Sequence, residues 1–243
     1  MKKPLIILTG PTAVGKTKLS ISLAQAVNGA IISADSMQVY RHMDIGSAKI
    51  RPEEMRGVPH YLIDVLDPSE EFHVVKFVEL AHEAMEKIYA AGQIPIVTGG
   101  TGFYIQALLK EVDFTESHGE LPIRKQLEEK AATEEGAAEL YRELSEVDPA
   151  SAETIHPNNV KRVIRALEYY HETGQKISEH NEEQKQKESP YCSAYFVLND
   201  ERSILYDRID RRVDQMICDG LVDEVFRLKE MGYTRDLVSM QGL

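Results

Sequence analysis

Cysteine is almost missing from this chain: two occur in 243 residues, Cys192 and Cys218, neither in a CxxC pair nor near histidines at zinc-finger spacing. That speaks against a disulfide framework or a structural metal and fits a reducing, cytoplasmic compartment. Basic residues are outnumbered, 28 Lys and Arg against 40 Asp and Glu, for a net charge of −12. Such a balance disfavours a protein that coats nucleic acid through a broad basic surface, so any nucleic-acid site must be a local patch. Long apolar runs are also lacking. The opening MKKPLIILTG carries an apolar run of about five residues, below the roughly seven of a signal-peptide core, and no segment approaches the ~20 residues that span a bilayer. The eight histidines show no HExxH or similar ligand spacing and are read as structural or surface groups. No internal repeat is visible.

What remains is 42% hydrophobic, enough for one good core with material for an appended subdomain. Residues 4–9 (PLIILT) form an apolar, β-branched run, followed by a glycine-rich loop. A helix is expected over Thr17–Asn28, with Leu19, Leu23 and Val27 at helical spacing and Gly29 as its stop. AIISAD (30–35) reads as a second buried strand ending in Asp35. A helix at about 73–91 places Val74, Phe77, Val78, Ala81, Met85 and Ile88 on one face, and IPIVT (94–98) is the next strand. Strands alternating with helices predict an α/β fold with a parallel sheet covered on both faces and ligands at the carboxyl ends of its strands.

After Lys110 the chain becomes charged and helical, which predicts a catalytic core of residues 1–110 and 191–243 interrupted by an inserted helical subdomain and linker, 111–190. Within the insert Val160, Val163, Ile164 and Leu167 form an apolar face, with Lys161, Arg162 and Arg165 on an arc away from it. QKISEHNEEQKQKESP reads as a mobile linker or surface loop. YCSAYFVL (191–198) returns as a strand, and the helix after it carries Arg208, Arg211 and Arg212 at i, i+3, i+4.

The strongest local signal is Gly10-Pro11-Thr12-Ala13-Val14-Gly15-Lys16-Thr17, the spacing Gly-x-x-x-x-Gly-Lys-Thr between a strand and a helix. Successive backbone N–H groups and the helix N-terminus form an anion nest there; Lys16 adds a point charge and the Thr17 hydroxyl is placed to hold Mg²⁺. The loop names a phosphate without naming the reaction. No NKxD-like segment follows it, so a GTPase switch is a poor fit. Asp35, at a strand's end, suits a metal ligand, a general base or a helix cap. Gly99, Gly100 and Gly102 around Thr101 suit either close approach to a ligand or a tight turn. The basic arc is either solvated surface or a contact to a nucleic-acid backbone.

Taken together, GPTAVGKT, SADSMQVYR, DIGSAK, PHYLIDVLDP, TGGTGFY, IHPNNVKRVIRALE and LYDRIDRRVDQM resemble, in order, the motifs of tRNA dimethylallyltransferases, also called tRNA isopentenyltransferases. The resemblance covers nearly the whole chain, departing at Ser47 and Phe103, where many relatives have Thr and Leu. It implies a P-loop NTPase-like sheet with an inserted tRNA-binding subdomain. It also implies transfer of the five-carbon group of dimethylallyl diphosphate to N6 of the adenine 3′ of the anticodon, with release of diphosphate. By this resemblance Asp35 is the general base, Ser36, Met37 and Gln38 adjoin the tRNA, Thr12 and Thr17 lie at the diphosphate, and Arg212 holds it. Thr101 lies near the reacting base, and Arg124 with Lys161, Arg162, Val163, Ile164 and Arg165 contacts tRNA. Mg²⁺, tRNA and dimethylallyl diphosphate are the implied cofactor and partners of a cytoplasmic monomer. Family members continue past the segment matching SMQGL into further C-terminal helices. A small-molecule or nucleoside kinase is the alternative reading, and a phosphate-ordered RNA-binding module a third.

Overall fold

The structure, a computed structural model, describes residues 2–112 and 122–242. It divides into two compact units, residues 1–111 with 189–243, and residues 112–188.

The first unit is built on five strands, β1 (Lys3–Thr9), β2 (Gly29–Ser33), β3 (His60–Tyr61), β4 (Ile94–Gly99) and β5 (Tyr191–Val197), all parallel in the order β3-β2-β4-β1-β5. Between them run α1 (Lys16–Val27), α2 (Val74–Ala90) and α3 (Gly102–Lys110). Alternation along the strands sorts side chains to two faces. Leu5, Ile7, Ala30, Ile32 and Val97 meet Phe77, Ala81, Met85 and Ile88 of α2 and Ile105 and Leu108 of α3. Ile31 and Ile96 meet Ile21 and Ala24 of α1 on the other side. Both faces are covered, which is why β1, β2 and β4 read as continuous apolar runs.

Three local expectations need correction. Asn28, with φ 51° and its N–H bonded to Ala24 O, ends α1. Gly29 instead opens β2, where an added Cβ would stand 2.9 Å from Ile94 O. Tertiary contact, not a turn, demands that glycine. The buried face of α1 is Ser20, Ile21 and Ala24, while Leu19 is 43% exposed. β2 stops at Ser33, two residues short of Asp35.

The second unit contains α4 (Pro122–Lys130), α5 (Glu134–Val147), α6 (Pro149–Thr154), α7 (Val160–Thr173) and α8 (Ile177–Gln186) around Leu140, Leu144, Val163, Ile164 and Leu167. α8 occupies the stretch expected to be a linker. It is helical because tertiary contacts supply what its polar composition does not: Ile177 packs on the core cluster, and the His180 ring lies 5.2 Å from that of Tyr169. Asp148 accepts from Ser178 N–H at 3.0 Å and Ser178 Oγ at 2.6 Å, and it caps α6 through Ser151 N–H and Oγ at 3.1 and 2.7 Å. α9 (Arg202–Cys218) and α10 (Leu221–Glu230) complete the first unit.

Burial of Asp148 acts to raise its pKa, but the bonds from Ser178 and Ser151 outweigh it and hold the carboxyl below the usual range. A depressed folded pKa contributes stability that is present above the unfolded carboxylate value of about 3.9 and is lost as pH falls through the folded one. Asp148→Ala is therefore expected to destabilise this unit by about 1–3 kcal/mol at pH 7, with the difference shrinking on acidification. Urea unfolding at pH 7 and pH 3 checks it; a pH-independent difference would assign the loss to packing.

Candidate active site

Strand register brings the chemistry to one edge. Thr9 lies opposite Gly99 and Val197, and Ser33 opposite Thr98, so β1, β2, β4 and β5 end together. Each then releases its next segment from the same side of the sheet: the phosphate loop after Thr9, Asp35 after Ser33, Thr101 after Gly99, and the approach to α9 after Val197. Thr9 Oγ1 donates to Gly99 O at 3.0 Å, and the Leu198 N–H to Thr9 O at 2.7 Å, pinning three of these ends.

The loop owes its shape to positive φ at Gly10, Ala13 and Gly15, of 148°, 63° and 95°. Gly10 is doubly required, because a Cβ there would fall 2.4 Å from Leu198 O. Gly15 caps α1 without any side-chain hydrogen bond, so the first-turn N–H groups are left for an anion. Lys16 Nζ donates to Gly10 O and Pro11 O, both at 2.8 Å, which ties the ammonium over the loop and leaves one N–H for a ligand. Thr12 and Thr17 are exposed, and Ala13 and Val14 are half-buried.

Lys16, Thr17 and Asp35 line one cleft, together with Ser33, Gln38 and His60. Desolvation lowers the Lys16 pKa, Asp35 pulls it back up, and Arg212 adds to the lowering. The Arg212 guanidinium is likewise depressed by burial and supported by Asp35. Asp35 thus stands within the field of both cations. One of its oxygens is committed: Oδ1 accepts from Met37 N–H at 2.9 Å and Gln38 N–H at 3.4 Å. No helix begins at Asp35, so the helix-cap alternative does not hold: Oδ1 closes a turn over residues 35–38, and the second oxygen is left for site chemistry.

The arginine trio separates. Arg208 pairs with Asp200 at 2.9 Å, Arg211 with Asp207 at 2.7 Å, and Arg212 is the member in the electrostatic neighbourhood of Asp35 and Lys16. The three glycines also separate. Gly99 is forced by the sheet, since its Cβ would stand 2.3 Å from Ala34 O, whereas Gly100 and Gly102 have open space and flank Thr101, the N-cap of α3.

Of the residues matched to tRNA contacts, Ser36 is half-buried. Met37 packs against the core. The Gln38 side chain donates to Ser47 O and Ala48 O at 3.4 Å each and accepts from Ser33 Oγ at 3.2 Å. In α7, Lys161 and Arg162 are exposed, but Val163 and Ile164 are 2% and 5% exposed in the core of their unit, so side-chain contact with RNA is not open to them. Arg165 Nη1 lies 2.9 Å and Arg124 Nη1 3.6 Å from Glu168 Oε2, whose side chain is fully buried. Sequence reasoning did not single out Glu168 or Glu224, and it read His60 as a structural or surface group. His60 accepts burial with Nδ1 2.8 Å from Val58 O and a pKa lowered by desolvation. Glu224 carries no local mark, because its partners at residues 44–46 are set by the fold, whereas Arg165 stands three residues before Glu168 and Val58 two before His60.

The family model described as IPP transferase matches residues 38–243. A curated tRNA dimethylallyltransferase of Lachnoclostridium phytofermentans is 65% identical over 241 residues, which cover 99% of this chain and 77% of that protein. Among solved structures, the full-length tRNA isopentenylpyrophosphate transferase of Bacillus halodurans superposes with a TM-score of 0.69 at 46% identity, over 99% of this chain and 74% of that one. A eukaryotic dimethylallyltransferase acting on tRNA matches with a TM-score of 0.84 at 38% identity, over 98% and 59%.

Proposed function

The chain belongs to the IPP transferase family, and from that premise we infer that it transfers a dimethylallyl group from dimethylallyl diphosphate to N6 of the adenine 3′ of the anticodon in tRNA, releasing diphosphate. The phosphate loop then binds the leaving group. Backbone N–H groups at Gly15 and the start of α1, with Lys16 and Arg212, offset the charge that grows on the departing oxygen. The C1–O bond of the donor breaks, its electron pair leaves with diphosphate, the N6–C1 bond forms, and the N6 proton passes to Asp35. An exocyclic amine conjugated to its ring is a weak nucleophile, so a carboxylate that takes its proton as the bond forms is the partner it needs. The carrying observation is the placement of Asp35 within the field of both Lys16 and Arg212, in the cleft that also holds Thr17.

The Thr17 hydroxyl offers that cleft a hard oxygen that would suit Mg²⁺, an ion that keeps waters and takes the rest of its shell from phosphate. When bound, it neutralises charge on the diphosphate. Thr101 faces the reacting base from the end of β4. The target base lies in a loop and must leave its stack to reach Asp35. Among the described residues no helix is long and apolar enough to cross a membrane, and we place the enzyme with its substrate in the cytoplasm.

The test supplies labelled dimethylallyl diphosphate, Mg²⁺ and unmodified tRNA, with labelled ATP in a parallel tube. Label on the adenine 3′ of the anticodon, with ATP untouched, is the expected result. ATP turnover without transfer would overturn it in favour of a kinase.

For RNA binding we assign the exposed Lys161 and Arg162 on α7. Lys161→Ala with Arg162→Ala should weaken tRNA binding and flatten its dependence on log salt by about one to two units, with donor affinity unchanged. Filter binding at several salt concentrations decides; an unaltered slope would return the arc to solvated surface.

A further inference from the structure

Glu224 on α10 is 2% exposed and is spent entirely on backbone 178 or more residues away. Its Oε2 accepts from Asp44 N–H and Ile45 N–H, both at 2.8 Å, and its Oε1 from Gly46 N–H at 3.0 Å. Three consecutive amides converging on one carboxylate make an anion nest filled from within the chain. The same loop is held from its other end by Lys49, whose Nζ donates to Tyr40 O and Asp44 Oδ1, both at 2.7 Å.

This loop is connected to the site at two points. The Ser47 and Ala48 carbonyls receive the Gln38 amide, Gln38 N–H donates to Asp35 Oδ1, and Ser33 Oγ fixes the Gln38 carbonyl oxygen. Asp44, Ile45 and Ala48 also line a cleft with Arg212, Gln215 and Met216 of α9, the helix that precedes α10. A shift of the loop would therefore move the wall beside Arg212 and free the side chain of Gln38, the residue whose backbone N–H contacts Asp35 Oδ1.

We propose that Glu224 is a positioning residue for the transfer reaction, fixing loop 44–49 so that Gln38 keeps the Asp35 turn, and with it the Asp35 carboxylate, in place. It rests on the reading of Asp35 as proton acceptor. Glu224→Gln keeps one carbonyl oxygen for two of the three N–H donors and sets an NH₂ against the third, so it weakens the clamp at nearly constant volume.

The full chain is assayed for prenyl transfer as the parent, Glu224→Gln, Asp35→Asn and the double variant, with tRNA and donor saturating. Glu224→Gln is expected to lower kcat about tenfold or more in the parent and to have little further effect beside Asp35→Asn, because both changes act through one carboxylate. A loss of equal size in both backgrounds would assign Glu224 to general stability and overturn the proposal. Gln38→Met removes the receiving amide without touching the clamp, and should show the same loss and the same non-additivity; unchanged kcat in Gln38→Met would break the relay and overturn the proposal even if Glu224→Gln does not fold. Parental turnover in Asp35→Asn would instead remove the proton-acceptor reading itself, and the proposal with it.

Discussion

Asp35→Asn is expected to lower turnover by about 10²-fold or more while leaving donor affinity and folding stability close to those of the parent. The structure makes this variant more informative than alanine. Oδ1 of Asp35 accepts from Met37 and Gln38 N–H, a role that an asparagine carbonyl oxygen reproduces, whereas an amide cannot take the proton from N6. Asp35→Ala removes both functions, and should add about 1 kcal/mol of destabilisation, the order expected for lost hydrogen bonds that close a turn. Single-turnover kinetics with preformed enzyme, donor and tRNA measure the first effect, and thermal unfolding the second. Equal turnover in Asp35→Asn and parent would take the carboxylate out of the proton transfer and leave it only closing the turn over residues 35–38.

Lys16→Ala should weaken dimethylallyl diphosphate binding about tenfold to a hundredfold, the range expected for a lost charge-assisted hydrogen bond. Two losses combine. The ligand loses a cation, and the loop loses the bridge from Nζ to Gly10 O and Pro11 O. Desolvation, with Arg212 nearby, lowers the Lys16 pKa from its ordinary 10.5 against the opposing pull of Asp35. The protonated form binds diphosphate, so affinity is present below the lowered pKa and falls as pH rises through it, earlier than for a free lysine. Calorimetry from pH 7 to 10 should show that alkaline decline in the parent and lose it in Lys16→Ala. Unchanged affinity in the variant would mean that the loop serves another ligand.

Both effects depend on placement that is partly readable without coordinates. The phosphate loop was legible because its chemistry is local: the order of glycines, lysine and threonine dictates where amides point, whatever surrounds them. Asp35 was legible as important, but its position at a strand's end fitted three roles equally, and contacts from residues 37 and 38 were needed to see that one oxygen closes a turn, with no helix to cap, and the other is left for chemistry. The arginines of α9 looked equivalent at i, i+3, i+4. Only their surroundings distinguish them, Asp200 and Asp207 taking Arg208 and Arg211 while Arg212 is half-buried within the field of Asp35. Polar composition misled at α8, where Asp148, 30 residues earlier in the chain, binds Ser178 near the start of the helix.

By itself the sequence determined the parallel α/β sheet, the helical insert and the phosphate loop, since apolar periodicity and backbone-dictating glycines act over a few residues. It also carried the family, through seven motifs in order. The tertiary structure alone decided why Gly10 admits no side chain, which basic residue joins Asp35, why Val163 and Ile164 are core, and that Glu224 braces loop 44–49. In each case the deciding atom, Leu198 O for Gly10 or the Glu224 carboxylate for Asp44, lies far along the chain, and burial, charge and hydrogen bonding depend on distance in space.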